Sequence, residues 1–210
     1  MLTLTTAFAI LSLLGLSAAT PTPIELAPRC GQTLFPFLTQ QLTEAYPNTV
    51  NPNTLSQDGD FHVSKQMGAA NSISQVVAFN NIPAGSSGCQ LGVVFPDSYP
   101  ITTTGSPMLN VYTLYNGASS SISYPNNWSW NTFYPRTSPP FGQGVFGTIN
   151  FAQGQNTIIN SEACPTDGGD LAFVFEIADW VWGNASIEFN EYVNKLNGAG
   201  LAGVYLTYDC

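Results

Sequence analysis

Basic side chains are nearly missing from this chain. Lys and Arg together number 4 in 210 residues, against 13 Asp and Glu, and there is 1 His. The net charge of -9 and the pI near 4.1 leave no basic face for nucleic acid, whose phosphates require one. Anionic lipid surfaces are disfavoured for the same reason. Charged residues of both signs make up 8% of the chain, where about 25% is typical. Solubility therefore falls to Asn, Ser, Thr and Gln, a mix common on secreted, glycosylated β-proteins.

The shortage of His also limits chemistry. A Ser-His-Asp triad would have to use His62. No G-x-S-x-G turn exists, and the nearest run, Gly85-Ser86-Ser87-Gly88, has the wrong spacing. His62 reads instead as an outward residue on a strand, beside Phe61 and Val63. No His can become a first residue, which excludes an N-terminal copper site. The 4 Cys include no CxxC and have no paired His, which argues against zinc. Asp58-Gly59-Asp60-Phe61-His62 and Thr166-Asp167-Gly168-Gly169-Asp170 contain carboxylates that could face a cation. Asp and Gly are also what turns require, and both segments are read as turns. No metal and no cofactor is expected.

The most informative segment that is present lies at the amino terminus. Thr3 to Ala19 (TLTTAFAILSLLGLSAA) is an apolar run with Ser17 and Ala19 at the −3 and −1 positions of a cleavage site, the pattern of a secretory signal peptide over residues 1–19. No Lys or Arg precedes it, so the amino terminus alone supplies the positive end. A membrane anchor is the alternative. The run is shorter than the roughly 20 residues a span needs, and Pro21 and Pro23 follow at once. A secreted protein, extracellular or in the cell wall and without a membrane span, is expected. The ending Asp209-Cys210 carries no hydrophobic tail, so no C-terminal lipid anchor is expected.

In that compartment the even Cys count implies two disulfides among Cys30, Cys89, Cys164 and Cys210. Three pairings are possible. Bridges that clip the chain ends to the body favour Cys30 with Cys89 and Cys164 with Cys210. Asn127-Trp128-Ser129 and Asn184-Ala185-Ser186 are N-glycosylation sequons, which places Asn127 and Asn184 at the surface.

Residues 20–29 form a Pro-rich segment, and residues 30–210 a single disulfide-clipped domain. Leu34, Leu38 and Leu42 recur at i, i+4 and i+8, which predicts one short N-terminal helix over Leu34 to Ala45, with Pro36 in its first turn and Tyr46-Pro47 as its stop. The period then switches to two. Phe61 and Val63, Ser74 to Phe79, Cys89 to Phe95, Met108 to Tyr115, Val145 to Phe151, Thr157 to Asn160, Leu171 to Ile177, Ser186 to Phe189 and Val204 to Tyr208 read as strands divided by turn clusters. Leu171, Phe173, Phe175 and Ile177 share one face; Ala172, Val174 and Glu176 share the other. The expected fold is all-β, a single antiparallel β-sandwich of jelly-roll or Ig-like type.

Two constellations could carry chemistry. Glu176 lies within an apolar strand and Asp179 precedes Trp180-Val181-Trp182. Paired carboxyls are what glycoside hydrolysis requires, although a structural Glu is the plainer reading. Tyr124 to Pro135 (YPNNWSWNTFYP) gathers aromatics without charge and leads to Arg136 and the loop from Ser138 to Gly142. Trp128, Trp130 and Tyr134 could stack on sugar rings or plug one end of the core.

Several stretches resemble the fungal ubiquitin-3-binding-protein But-two C-terminal domain family: Ile82 to Phe95 (IPAGSSGCQLGVVF), Leu109 to Tyr115 (LNVYTLY), Ile159 to Cys164 (INSEAC), Leu171 to Asp179 (LAFVFEIAD) and Gly200 to Cys210 (GLAGVYLTYDC). The resemblance implies a secreted or surface-associated fungal protein with a β-rich domain, and supplies no catalytic residue. The expectation is a non-enzymatic cell-wall or extracellular protein that presents loops to a glycan, such as a cell-wall polysaccharide, or to a host surface partner. A carboxylate-based glycoside hydrolase using Glu176 and Asp179, and a secreted effector that binds a host surface protein, are the alternatives.

Overall fold

The computed structural model describes residues 31–114, 122–134, 144–191 and 201–210. The signal sequence, the Pro-rich segment, Cys30, Arg136 and the loop from Ser138 to Gly142 lie outside the described residues. Every strand pairing among the described residues is antiparallel. One sheet holds β1 (Gln32–Leu34), β12 (Gly203–Tyr208), β5 (Cys89–Val94) and β9 (Asn156–Glu162), in the order β1-β12-β5-β9. The larger runs β6 (Thr102–Thr104), β11 (Ala185–Asn190), β3 (Asp60–Gln66), β4 (Ala70–Ile82), β10 (Gly169–Ile177), β7 (Leu109–Thr113), β8 (Gly147–Ile149). β2 (Leu38–Thr43) also pairs with β4.

The expected helix over Leu34 to Ala45 is not there. Leu34 ends β1, and residues 38–43 form β2. A spacing of four is ambiguous, because it fits both a 3.6-residue and a 2-residue period. The continuous ladder with β4, from Leu38 opposite Ala78 to Thr43 opposite Ile73, resolves the period as two. The one α-helix among the described residues is α1 (Trp130–Phe133), in the aromatic segment.

β10 lies between β4 and β7, and all its residues after Gly169 are buried. Its two faces enter separate clusters. Phe173, Phe175 and Ile177 meet Leu91, Val93, Val204, Leu206 and Tyr208 of the smaller sheet. The rings of Phe61, Phe95, Phe151 and Phe189 fill this space, Phe61 stacking on Phe189 with centroids 4.5 Å apart. Ala172 and Val174 point the other way, to Leu38, Leu42, Tyr112, Leu114, Ile122 and Phe133. Within the smaller sheet, Tyr205 lies across Gly92, where a Cβ would come within 2.5 Å of the ring.

Cys89 is bonded to Cys164 with 5.1 Å between Cα atoms. This corrects the expected pairings of Cys30 with Cys89 and Cys164 with Cys210. β5 and β9 are neighbours with Cys89 opposite Glu162, so the chain leaving β9 delivers Cys164 to Cys89. Cys210 is also a disulfide cysteine, and no described Cys is free. No helix among the described residues is long and apolar enough to cross a membrane.

Candidate functional site

The aromatic segment is held onto the outer face of the larger sheet by polar anchors. Asp170 sits at the irregularity between Gly169 and Leu171. Its carboxylate accepts the backbone N–H of Ile122 at 2.6 Å and that of Asn81 at 3.3 Å. Further along, the buried Gln40 donates its Nε2 to the Asn51 carbonyl at 2.8 Å and the Trp128 carbonyl at 3.3 Å. The Thr132 hydroxyl accepts the Ser129 N–H at 2.9 Å and donates to the Ser129 carbonyl at 2.8 Å, which closes the single turn of α1. That turn sorts the aromatics. Phe133 is buried, with Trp128 packed edge-on against it at 5.5 Å. Trp130 and Tyr134, at i and i+4, stack with centroids 3.9 Å apart and planes inclined by 22°.

The stacked pair forms one wall of a cavity of about 310 Å³. Ser64 and Lys65 of β3, Ser74 of β4 and Glu176 of β10 line it as well, with Asp179 at the rim beyond β10. The Tyr134 hydroxyl donates to the Glu176 carboxylate, and Ser74 Oγ lies 2.9 Å from the same hydroxyl. With the tyrosine proton committed to Glu176, Ser74 is the donor in that second contact. Lys65, the one Lys or Arg among the described residues, is buried and donates Nζ to the Ala178 carbonyl at 2.8 Å. The cavity thus combines an aromatic surface, a buried carboxylate, a second carboxylate and a serine hydroxyl.

Four of the residues singled out in the sequence therefore meet: Trp130, Tyr134, Glu176 and Asp179. Trp128 does not line the cavity; it is half-buried in the second cluster. Lys65 was not anticipated, yet the sequence carried a signal. Phe61, Val63 and Lys65 share one strand phase, and a cation in the apolar phase of a strand needs a polar reason. His62 lies in the opposite phase, half-buried, and its backbone N–H donates to Gln75 Oε1 at 3.2 Å.

The two segments expected to be turns each run into a strand: Asp60, Phe61 and His62 open β3, and Gly169 and Asp170 open β10. Asp58 Oδ1 takes the Asp60 N–H at 3.3 Å, and Gln41 Nε2 donates to Asp60 Oδ2 at 2.8 Å. Burial pushes the Asp60 carboxyl up from its ordinary value, and the Gln41 hydrogen bond opposes this. Among the described residues no group of three His, Cys, Asp or Glu is placed to hold a metal ion. Both sequon residues, Asn127 and Asn184, are exposed. Neither a family model nor a curated protein sequence matches the chain.

Proposed function

We propose that this is a secreted, non-enzymatic protein of the cell wall or extracellular space that binds a neutral glycan in the cavity walled by Trp130 and Tyr134. One observation carries the reading: the stacked aromatic pair and the Ser74–Tyr134–Glu176 hydrogen-bond chain line the same cavity. A sugar ring offers an apolar face for an aromatic surface and hydroxyls for carboxylate and serine oxygens, and this site supplies both. The But-two resemblance of the quoted segments agrees with a fungal cell-wall protein. The two sheets are read as halves of one sandwich that presents this loop-covered face outward, and Asn127 and Asn184 as its glycan attachment points.

The test is binding of the purified mature chain to a panel of cell-wall polysaccharides. Trp130→Ala should weaken binding about tenfold, equivalent to about 1.4 kcal/mol, with the fold retained because Trp130 is only partly buried. Unchanged affinity for every glycan bound by the wild type would sink the reading.

A hydrolase is favoured by a separate observation, that Glu176 and Asp179 line one cavity. If the wild type cleaves a polysaccharide and Glu176→Gln abolishes cleavage, this second reading replaces the first.

A further inference from the structure

Trp182 is 94% exposed, the most exposed large hydrophobic side chain among the described residues. It makes no ring contact with another aromatic residue among the described residues. An indole carries about 150–250 Å² of largely apolar surface, and that of Trp182 stands open to an occupant. The neighbouring sequence names one. Trp182 lies two residues before Asn184 in Trp182-Gly183-Asn184-Ala185-Ser186, which contains the second sequon.

The local geometry prepares Asn184 for attachment. Asn184 is exposed and immediately precedes β11. Its Oδ1 accepts the Met67 backbone N–H at 2.9 Å, which fixes the amide, and Nδ2 has no partner among the described residues. Gly183, with φ +91°, turns the chain between Trp182 and Asn184, and there is open space where its side chain would be.

We propose that Asn184 carries an N-linked glycan whose first N-acetylglucosamine packs on the indole of Trp182 and stiffens the turn between β10 and β11. This rests on the secretion part of the reading above, but not on ligand binding in the cavity. In the attachment step Asn184 Nδ2 forms a bond to the anomeric carbon of a polyprenyl-pyrophosphate-linked oligosaccharide. The bond from that carbon to the pyrophosphate oxygen breaks, the amide proton passes to a base of the transferase, and polyprenyl pyrophosphate leaves. The apolar face of the attached sugar then covers the indole, as an aromatic partner would.

The experiment is a double-mutant cycle on the full chain secreted from a fungal host. Trp182→Ala is compared in the glycosylated protein and in a Ser186→Ala background, which removes the sequon while keeping Asn184 and its bond to Met67. Intact mass measures occupancy. The proposal expects a glycan on Asn184 and a fall in unfolding midpoint of about 2–4 °C from Trp182→Ala, the size of one lost packing contact in a chain of this length. In the Ser186→Ala background the same substitution should have little effect. An equal effect in both backgrounds overturns the packing while leaving secretion intact. An unmodified Asn184 overturns the proposal, and an uncleaved leader on that material would overturn secretion too.

Discussion

The two faces of β10 are covered by different means. On one, Phe173, Phe175 and Ile177 meet the smaller sheet in a space filled by phenyl rings. That cover is a regular ladder, cross-linked by Cys89–Cys164. On the other, Ala172 and Val174 lie under a mostly non-repetitive segment held by Asp170, Gln40 and Tyr134. Apolar packing is non-directional and rewards filling space, whereas hydrogen-bonded cover is directional and leaves room between its anchors. The cavity lies on the second side for that reason. Trp130 and Tyr134 pack there against the cluster that contains Ala172 and Val174.

The comparison breaks most visibly in the ring-filled core. Phe175 is fully buried, edge-on to Phe61 at 5.3 Å and close to Phe151 at 6.1 Å. Phe175→Ala should cost about 3–5 kcal/mol in denaturant unfolding. A loss below about 1 kcal/mol would show that this face is not close-packed. On the opposite face a single polar anchor should matter next most. Asp170→Ala leaves the N–H groups of Ile122 and Asn81 without their acceptor, and should cost about 1–3 kcal/mol. Its second signature is hydrogen exchange, which should quicken in residues 122–134 and stay slow in β5 and β12. Uniform quickening would mean that the two covers open together and are not separate units.

Much of the first face was legible in the sequence, and little of the second. Alternation along Phe61 to Val63 and Leu171 to Ile177 marks strands, because period two survives without knowledge of partners. The even run Ala172, Val174, Glu176 gave no indication of its cover, which comes from a segment about fifty residues earlier. Leu34, Leu38 and Leu42 misled because a spacing of four fits helix and strand alike. The disulfide escaped because it depends on which strands become neighbours in the smaller sheet, a long-range fact. The meeting of Trp130 and Tyr134 with Glu176 is long-range too. Each residue stood out locally by its chemistry, but their convergence depends on α1 and its capping by Thr132.

The smallest expected effect sharpens the comparison at the junction of the two sheets. Glu162, from β9 of the smaller sheet, accepts the Thr113 hydroxyl of β7 at 3.1 Å. Glu191, just beyond β11 of the larger sheet, accepts the Val204 N–H of β12 at 2.8 Å and 3.0 Å through its two oxygens. Both carboxyls therefore tie one sheet to the other. Burial raises the Glu162 carboxyl to about 6, against an ordinary 4.5, with the Thr113 hydrogen bond opposing. Burial also raises Glu191 well above 4.5, with the Val204 N–H opposing. For Glu162, between pH 4.5 and about 6, the folded protein keeps a proton that the unfolded chain releases, so its contribution to stability falls as pH rises through that window. The loss should be on the order of 1 kcal/mol, discounted for partial exposure of the group, and Glu191 should extend it to higher pH. Glu162→Gln keeps the Thr113 contact and cannot ionise. Its urea midpoint should therefore fall less than the wild type's between about pH 4.5 and about pH 7. Identical pH slopes for the two proteins would show that Glu162 does not sense burial at the junction of the two sheets.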